Sequence, residues 1–136
     1  MIVYAALEGV TQGFIVSKNA AGLSVGEETE KMLGLNALPT YRVKLDGVKV
    51  PKANRIGGDS GLDFEQVLAS MRVANAAAAI GVARAAFEYA RDYAKEREAF
   101  GVKIAQKQAI AFMLAEMRTE IEAMRLLTWE AAWKLD

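Results

Sequence analysis

The stretch YAKEREAFGVKIAQKQAI, residues 93–110, decides how this chain folds. Good helix formers lie on both sides of it, yet it places an aromatic, a glycine and several charges in one short gap. Two readings of the gap stand side by side. In the first it is a helix C-cap: Arg97 suits the negative end of a helix, Gly101 supplies a left-handed turn and Phe100 tucks in. In the second it recognises an anion: the Arg97 fork pairs a phosphate oxygen and the Phe100 ring flanks a base, with Gln108 close by. Local physics does not choose between them.

Working outward, both flanks are helical. The upstream helix is expected from about Leu62 to Lys95, with Asp59 or Ser60 as its cap, and spans roughly 50 Å at about 1.5 Å per residue. Its middle, VANAAAAIGVARAA, is built of small residues. Gly81 costs about 1 kcal/mol there against Ala, so a close crossing by another backbone is expected to compensate. The downstream helix is expected from about Ile104 to Leu135. Ile110, Leu114, Met117, Ile121, Met124, Thr128 and Ala131 follow a 4,3 spacing, a heptad seam. Trp129 and Trp133 near its end read as core or interface. A loop over Glu98–Lys103 makes the two helices antiparallel. Two helices bury little alone, so the expected partners are further helices, from the same protein or from another copy.

Residues 1 to about 56 have a different character. MIVYA and GFIVSK are short, β-branched and bounded by glycine. In YRVKLDGVKVP, Tyr41, Val43 and Leu45 alternate with Arg42, Lys44 and Asp46, as in a half-buried strand. Three or four strands are expected to form one small antiparallel sheet. The fold class is therefore α+β: a partial antiparallel β domain over 1–56, then a long α-helical hairpin over 57–136.

Composition narrows the chemistry. The chain has 136 residues, is 53% hydrophobic and 25% charged, and carries 17 basic and 17 acidic residues. A zero net charge gives no sign of a nucleic-acid partner. Without Cys or His there is no disulfide, no thiol nucleophile, no histidine triad and no His-ligated metal. The N-terminus lacks the charged region of a signal peptide, and the run VANAAAAIGVARAAF reads as too short and too polar to span a membrane. A cytoplasmic protein is expected.

Arg72 shares a stripe with Phe64 and Leu68. It is either a snorkelling or paired cation, or a contact for a phosphate or acyl carrier. Asn75, one turn on, reads as an interhelical hydrogen bond. Glu116, Glu120 and Glu122 fall on the wet face by the heptad count, and none has the apolar setting that would make it a catalytic base.

The order of segments is informative beyond these local signals. GFIVSKNAAGLSVG, KMLGLNALPTYRVKLDGVKVPKANRIGG and the long run from MRVANAAAAIGVARAAFEYARDYAKEREAFG through QAIAFMLAEM to EAAW resemble the acyl-CoA dehydrogenase family over nearly the whole chain. The resemblance implies three parts: an N-terminal helical domain, a middle β domain and a C-terminal four-helix bundle. This chain matches the end of the β domain and the first two bundle helices. It implies FAD as cofactor, with Arg97 reaching the pyrophosphate of a neighbouring subunit and Phe100 and Gln108 lining the same FAD. Arg rather than Lys suits a pyrophosphate. A shared site implies a homo-oligomer. Arg72 matches a position near the acyl-CoA thioester, preceded by Met71. Ala69 stands where an acidic residue is usual, and Leu38 where some relatives place a Ser.

The implied reaction is α,β-dehydrogenation of an acyl-CoA, with electrons passed to an electron-transfer flavoprotein. The catalytic Glu of most members lies in a part of the fold that these residues do not match. In a minority it precedes the Arg that matches Arg72, where this chain has Met71, which cannot act as a base. No catalytic residue and no metal ligand is therefore assigned here. The implied alternatives are a related oxidase or flavin monooxygenase, and a non-catalytic oligomerisation or CoA-binding remnant.

Overall fold

β1 (Ile2–Leu7) and β2 (Val10–Ile15) form an antiparallel hairpin with Ile2 opposite Ile15 and Leu7 opposite Val10. The computed structural model describes residues 1–35 and 37–136. Glu8 and Gly9, the two turn residues, both have positive φ, the mark of a type I′ turn whose twist suits the strands it joins. At the open end the Met1 ammonium donates to the Val16 carbonyl and the Val16 N–H donates to the Met1 carbonyl, each at 2.8 Å.

β3 (Leu23–Thr29) pairs antiparallel with β4 (Tyr41–Leu45), with a register shift between Val25 and Thr29. The four strands do not make the single small sheet expected from sequence. They make two separate two-stranded sheets. The free edge of β2 is used elsewhere: Ile56 donates its N–H to the Gly13 carbonyl at 2.9 Å, beside a bridge between Phe14 and Arg55. The hairpins meet through side chains, around a cleft of about 380 Å³ lined by Val3, Phe14, Val16, Leu45 and Val48. β4 is exposed along its whole length, so its alternation marks an apolar face that this chain leaves open.

Gln12 anchors the end of this unit. It is 5% exposed, and its side-chain oxygen accepts the Leu62 N–H at 2.9 Å and the Arg55 Nε–H at 3.4 Å. Gly61 makes room for it: with φ +76, a Cβ there would lie 2.3 Å from that oxygen. The Tyr4 and Phe64 rings pack at 5.1 Å. The segment Met1–Phe64 is one compact unit and Glu65–Asp136 a second.

α1 (Phe64–Glu96) and α2 (Gln108–Trp133) make up nearly all of the second unit. α1 starts at Phe64, five residues after Asp59 and four after Ser60, so neither caps it. Asp59 is instead paired with Lys52 at 2.6 Å, in the loop before the helix. α1 contains a stretch long and apolar enough to cross a membrane by length and composition, because the Ala-rich run continues into its flanks more evenly than the interrupting Asn75 and Arg84 suggest.

Ala94, 2% exposed, and Ile121, 5% exposed, are the buried residues of the two helices. Leu114 and Thr128 are half-buried, but Met117 and Met124 are exposed, so the heptad seam is covered only in part. No close crossing meets Gly81: a Cβ there would find nothing within 4 Å. Val82, Tyr89, Leu127 and Trp133 are exposed as well. At about 25 cal/mol per Å² of apolar surface, faces of this kind are strongly driven to find cover.

Candidate functional site

The gap between the helices is a small hairpin. α1 ends at Glu96, and Arg97 follows with its N–H on the Tyr93 carbonyl at 2.9 Å. β5 (Glu98–Ala99) and β6 (Val102–Lys103) then pair antiparallel, with Glu98 opposite Lys103 and Ala99 opposite Val102. The Glu98 carboxylate holds Lys103 at 2.7 Å, and Lys103 Nζ also donates to the Glu96 carbonyl at 3.0 Å. The Arg97 carbonyl accepts the Ile104 N–H at 2.9 Å and seals the base of the hairpin. A 3-10 turn over Ile104–Gln106 leads into α2.

Phe100 and Gly101 form the tip, with φ of +56 and +80. Two positive φ values make a second type I′ turn. That position favours Asn, Asp or Gly, because a Cβ crowds the left-handed region and costs about 1 kcal/mol. Gly101 fits the expected left-handed role. Phe100 does not tuck in, as the capping reading required: it is 95% exposed. A strained backbone here presents an aromatic ring to solvent. Outliers of this kind persist where the strain serves a purpose.

The surroundings of the ring are electropositive. Lys107 Nζ lies 4.9 Å from its centroid. Arg97 is exposed, and its guanidinium has no ion-pair or hydrogen-bond partner among the described residues. Gln108 is exposed as the first residue of α2, whose first turn holds no acidic residue and whose start has no side-chain cap. The Ile110 and Ala111 N–H groups are taken by the Lys107 carbonyl, so the Gln108 and Ala109 N–H groups are the free amides at the positive end of the helix dipole among the described residues. Arg97, Phe100 and Gln108 are thus brought to one corner. Lys107 joins them and was not singled out from sequence, since its reach to Phe100 depends on the reversal at Gly101. A free Arg fork, a Lys, free helix amides and an aromatic face fit a ligand with both phosphates and a planar ring.

Arg72 and Met71 stand elsewhere. Both are exposed on α1, roughly 38 Å along the helix from Arg97 at about 1.5 Å per residue. The buried ion pair considered for Arg72 is not formed within its unit. Asn75 is exposed and makes no interhelical hydrogen bond among the described residues. Glu122 also departs from the wet-face expectation. It lies between the helices, taking Arg118 at 2.6 Å and Arg125 at 2.5 Å on its two oxygens. Hydrogen bonding to Arg125, with the charges of Arg118, Arg125 and Arg84, holds its carboxyl below the ordinary range, the opposite of what a general base requires.

The sequence profile described as acyl-CoA dehydrogenase, C-terminal domain, matches residues 61–136. The helical hairpin with its cationic, aromatic tip thus falls within the C-terminal domain of an acyl-CoA dehydrogenase fold. The chain belongs to the acyl-CoA dehydrogenase family. It is 42% identical over 126 residues to a subunit of the caffeyl-CoA reductase–Etf complex of Acetobacterium woodii, covering 90% of this chain and 33% of that protein. Among solved structures it resembles butyryl-CoA dehydrogenase from Megasphaera elsdenii, with TM-score 0.83, 34% identity and coverage of 98% of this chain and 36% of that one. The FAD complex of PigA aligns with TM-score 0.84 and 27% identity, again over 98% and 36%. The chain spans about a third of the length of the curated relatives it matches.

Proposed function

We propose that these residues serve an FAD-dependent acyl-CoA dehydrogenase, which removes hydrogens from the α and β carbons of an acyl-CoA thioester and passes the electrons to an electron-transfer flavoprotein. The exposed, strained Phe100 beside an unpaired Arg97 carries this reading, because a merely structural turn calls for neither. Arg97 grips the pyrophosphate of FAD, and Phe100 and Gln108 line it. FAD, when bound, supplies the acceptor for the β-hydride. Arg72 and Met71 lie along the acyl-CoA; residues 1–56 are the C-terminal part of the middle β domain, and residues 57–136 are the first two helices of the C-terminal bundle domain. The cofactor gripped by one copy belongs to its neighbour, so the working form is a homo-oligomer in the cytoplasm.

The proton at the α-carbon has no acceptor here. Met71 cannot take it, and Glu122 is engaged by arginines. The isolated chain is accordingly inactive. An FAD titration of the purified chain, read by flavin absorbance and native mass, tests the reading. Flavin retained by the parent, lost in Arg97→Ala and weakened in Arg97→Lys, is expected. Retention that is indifferent to Arg97 would sink it. The exposed Val82, Tyr89 and Trp133 favour a second reading, a non-catalytic assembly module. Stable oligomers that bind neither FAD nor acyl-CoA would support that one instead.

A further inference from the structure

Arg97 stands between two acids, Glu96 and Glu98, and among the described residues its guanidinium pairs with neither. Other arginines here do not stay free. Arg42, Arg84, Arg118 and Arg125 each hold a carboxylate. Arg91 shows what an adjacent acid does when nothing competes for it. Its Nε–H and Nη–H donate to the two oxygens of the next residue, Asp92, at 2.8 and 3.0 Å. By that example Arg97 and Glu98 would close on one another, and a guanidinium whose fork already holds a carboxylate is a poor grip for a second anion.

Lys103 makes the difference. β5 and β6 set it directly opposite Glu98. Its Nζ holds the Glu98 carboxylate at 2.7 Å and donates to the Glu96 carbonyl at 3.0 Å, so it clasps both residues that flank Arg97. Opposite charges placed directly across a strand pair support the pairing, so Glu98 serves the hairpin while it is held. Lys107, the other lysine of this corner, is turned to the Phe100 ring and does not compete for Glu98.

We propose that Lys103 is a positioning residue: by occupying Glu98 it keeps the Arg97 fork unpaired and open to a diphosphate. The purpose rests on the reading of Arg97 as the grip for FAD, while the clasp itself does not depend on it. Lys103 neutralises the acid that the hairpin places beside the anion grip. Without Lys103, Glu98 turns to Arg97 as Asp92 turns to Arg91.

The test compares the full 136-residue chain with Lys103→Gln, Glu98→Gln, the double variant and Lys103→Arg. The first readout is the rate at which phenylglyoxal labels Arg97, resolved by peptide mass spectrometry with the exposed Arg72 as internal reference. Lys103→Gln is expected to slow the labelling of Arg97 by roughly two- to fivefold, the worth of one exposed ion pair, and to leave Arg72 unchanged. Lys103→Arg and the double variant are expected to keep the parent rate, because the first retains a clasp and the second releases no acid. The second readout is FAD affinity followed by flavin fluorescence, which is expected to fall for Lys103→Gln and to return in the double variant. Labelling that ignores Lys103, that quickens because the hairpin has loosened, or that slows equally with and without Glu98 overturns the proposal. So does FAD affinity indifferent to Lys103 in a parent that binds the cofactor. Labelling that follows the expected pattern in a chain that takes up no FAD supports the clasp and removes the cofactor reading instead.

Discussion

Replacing Phe100 with Asn removes a backbone penalty without disturbing a core. Phe100 holds φ at +56 with its ring 95% exposed, so little burial is at stake. The left-handed conformation costs a residue such as Phe about 1–2 kcal/mol, and Asn tolerates it far better. The substitution also deletes the cation–π interaction with Lys107 at 4.9 Å, worth about 0.5 kcal/mol at an exposed site. The net effect is a stabilisation of about 1 kcal/mol. For a unit of this size that raises Tm by about 4 °C, read by circular dichroism during thermal unfolding. Phe100→Ala serves as the control: it deletes the ring but keeps a Cβ, so it relieves no strain and gains nothing. If Asn fails to stabilise, or if Ala gains as much as Asn, the dihedral argument is wrong. The stabilised variant is also expected to hold FAD less well, since the ring is what the strain maintains.

Other perturbations follow from the same geometry. Gly61→Ala places a Cβ against the Gln12 oxygen at a positive φ and is expected to lower the stability of the β unit by more than about 1 kcal/mol in urea titration, whereas Gly101→Ala, with nothing within 4 Å, meets the dihedral penalty alone. Ile121→Ala empties a buried position between the helices and is expected to cost about 2–4 kcal/mol in the same assay. Glu122 has its carboxyl held below the ordinary 4.5, so its contribution is present above that value and is lost as pH falls through the lowered one. A helicity titration of Glu122→Gln is expected to show a shallower acid limb than the parent, and an unchanged limb would count against this assignment.

The sequence showed the helical hairpin plainly, because the small-residue run and the 4,3 spacing each exceed any strand period. It showed less of the β unit. β3 contains Ser24, Gly26, Glu27 and Glu28, with no apolar alternation to reveal it, and its pairing with β4 comes from position. A division into two sheets rather than one was not legible, because strand signals say which residues extend and not which edges meet. The connector was recognisable as unusual from Arg97 and Phe100 alone. Its type I′ turn was hidden, since that turn is usually announced by Asn-Gly or Asp-Gly and here reads Phe-Gly.

The hairpin at the tip of α1 and α2 is held by Tyr93, Glu96, Glu98, Lys103 and Ile104, all neighbours in the chain. Nothing in it waits for distant parts of the fold to arrive. Its form is therefore available as soon as the ribosome has released this short segment, ahead of any subunit contact. The same self-sufficiency makes it portable: grafted between two unrelated antiparallel helices, the segment from Tyr93 to Gln108 carries its own geometry with it. Variation elsewhere in the protein can then reshape what is bound without having to rebuild the tip.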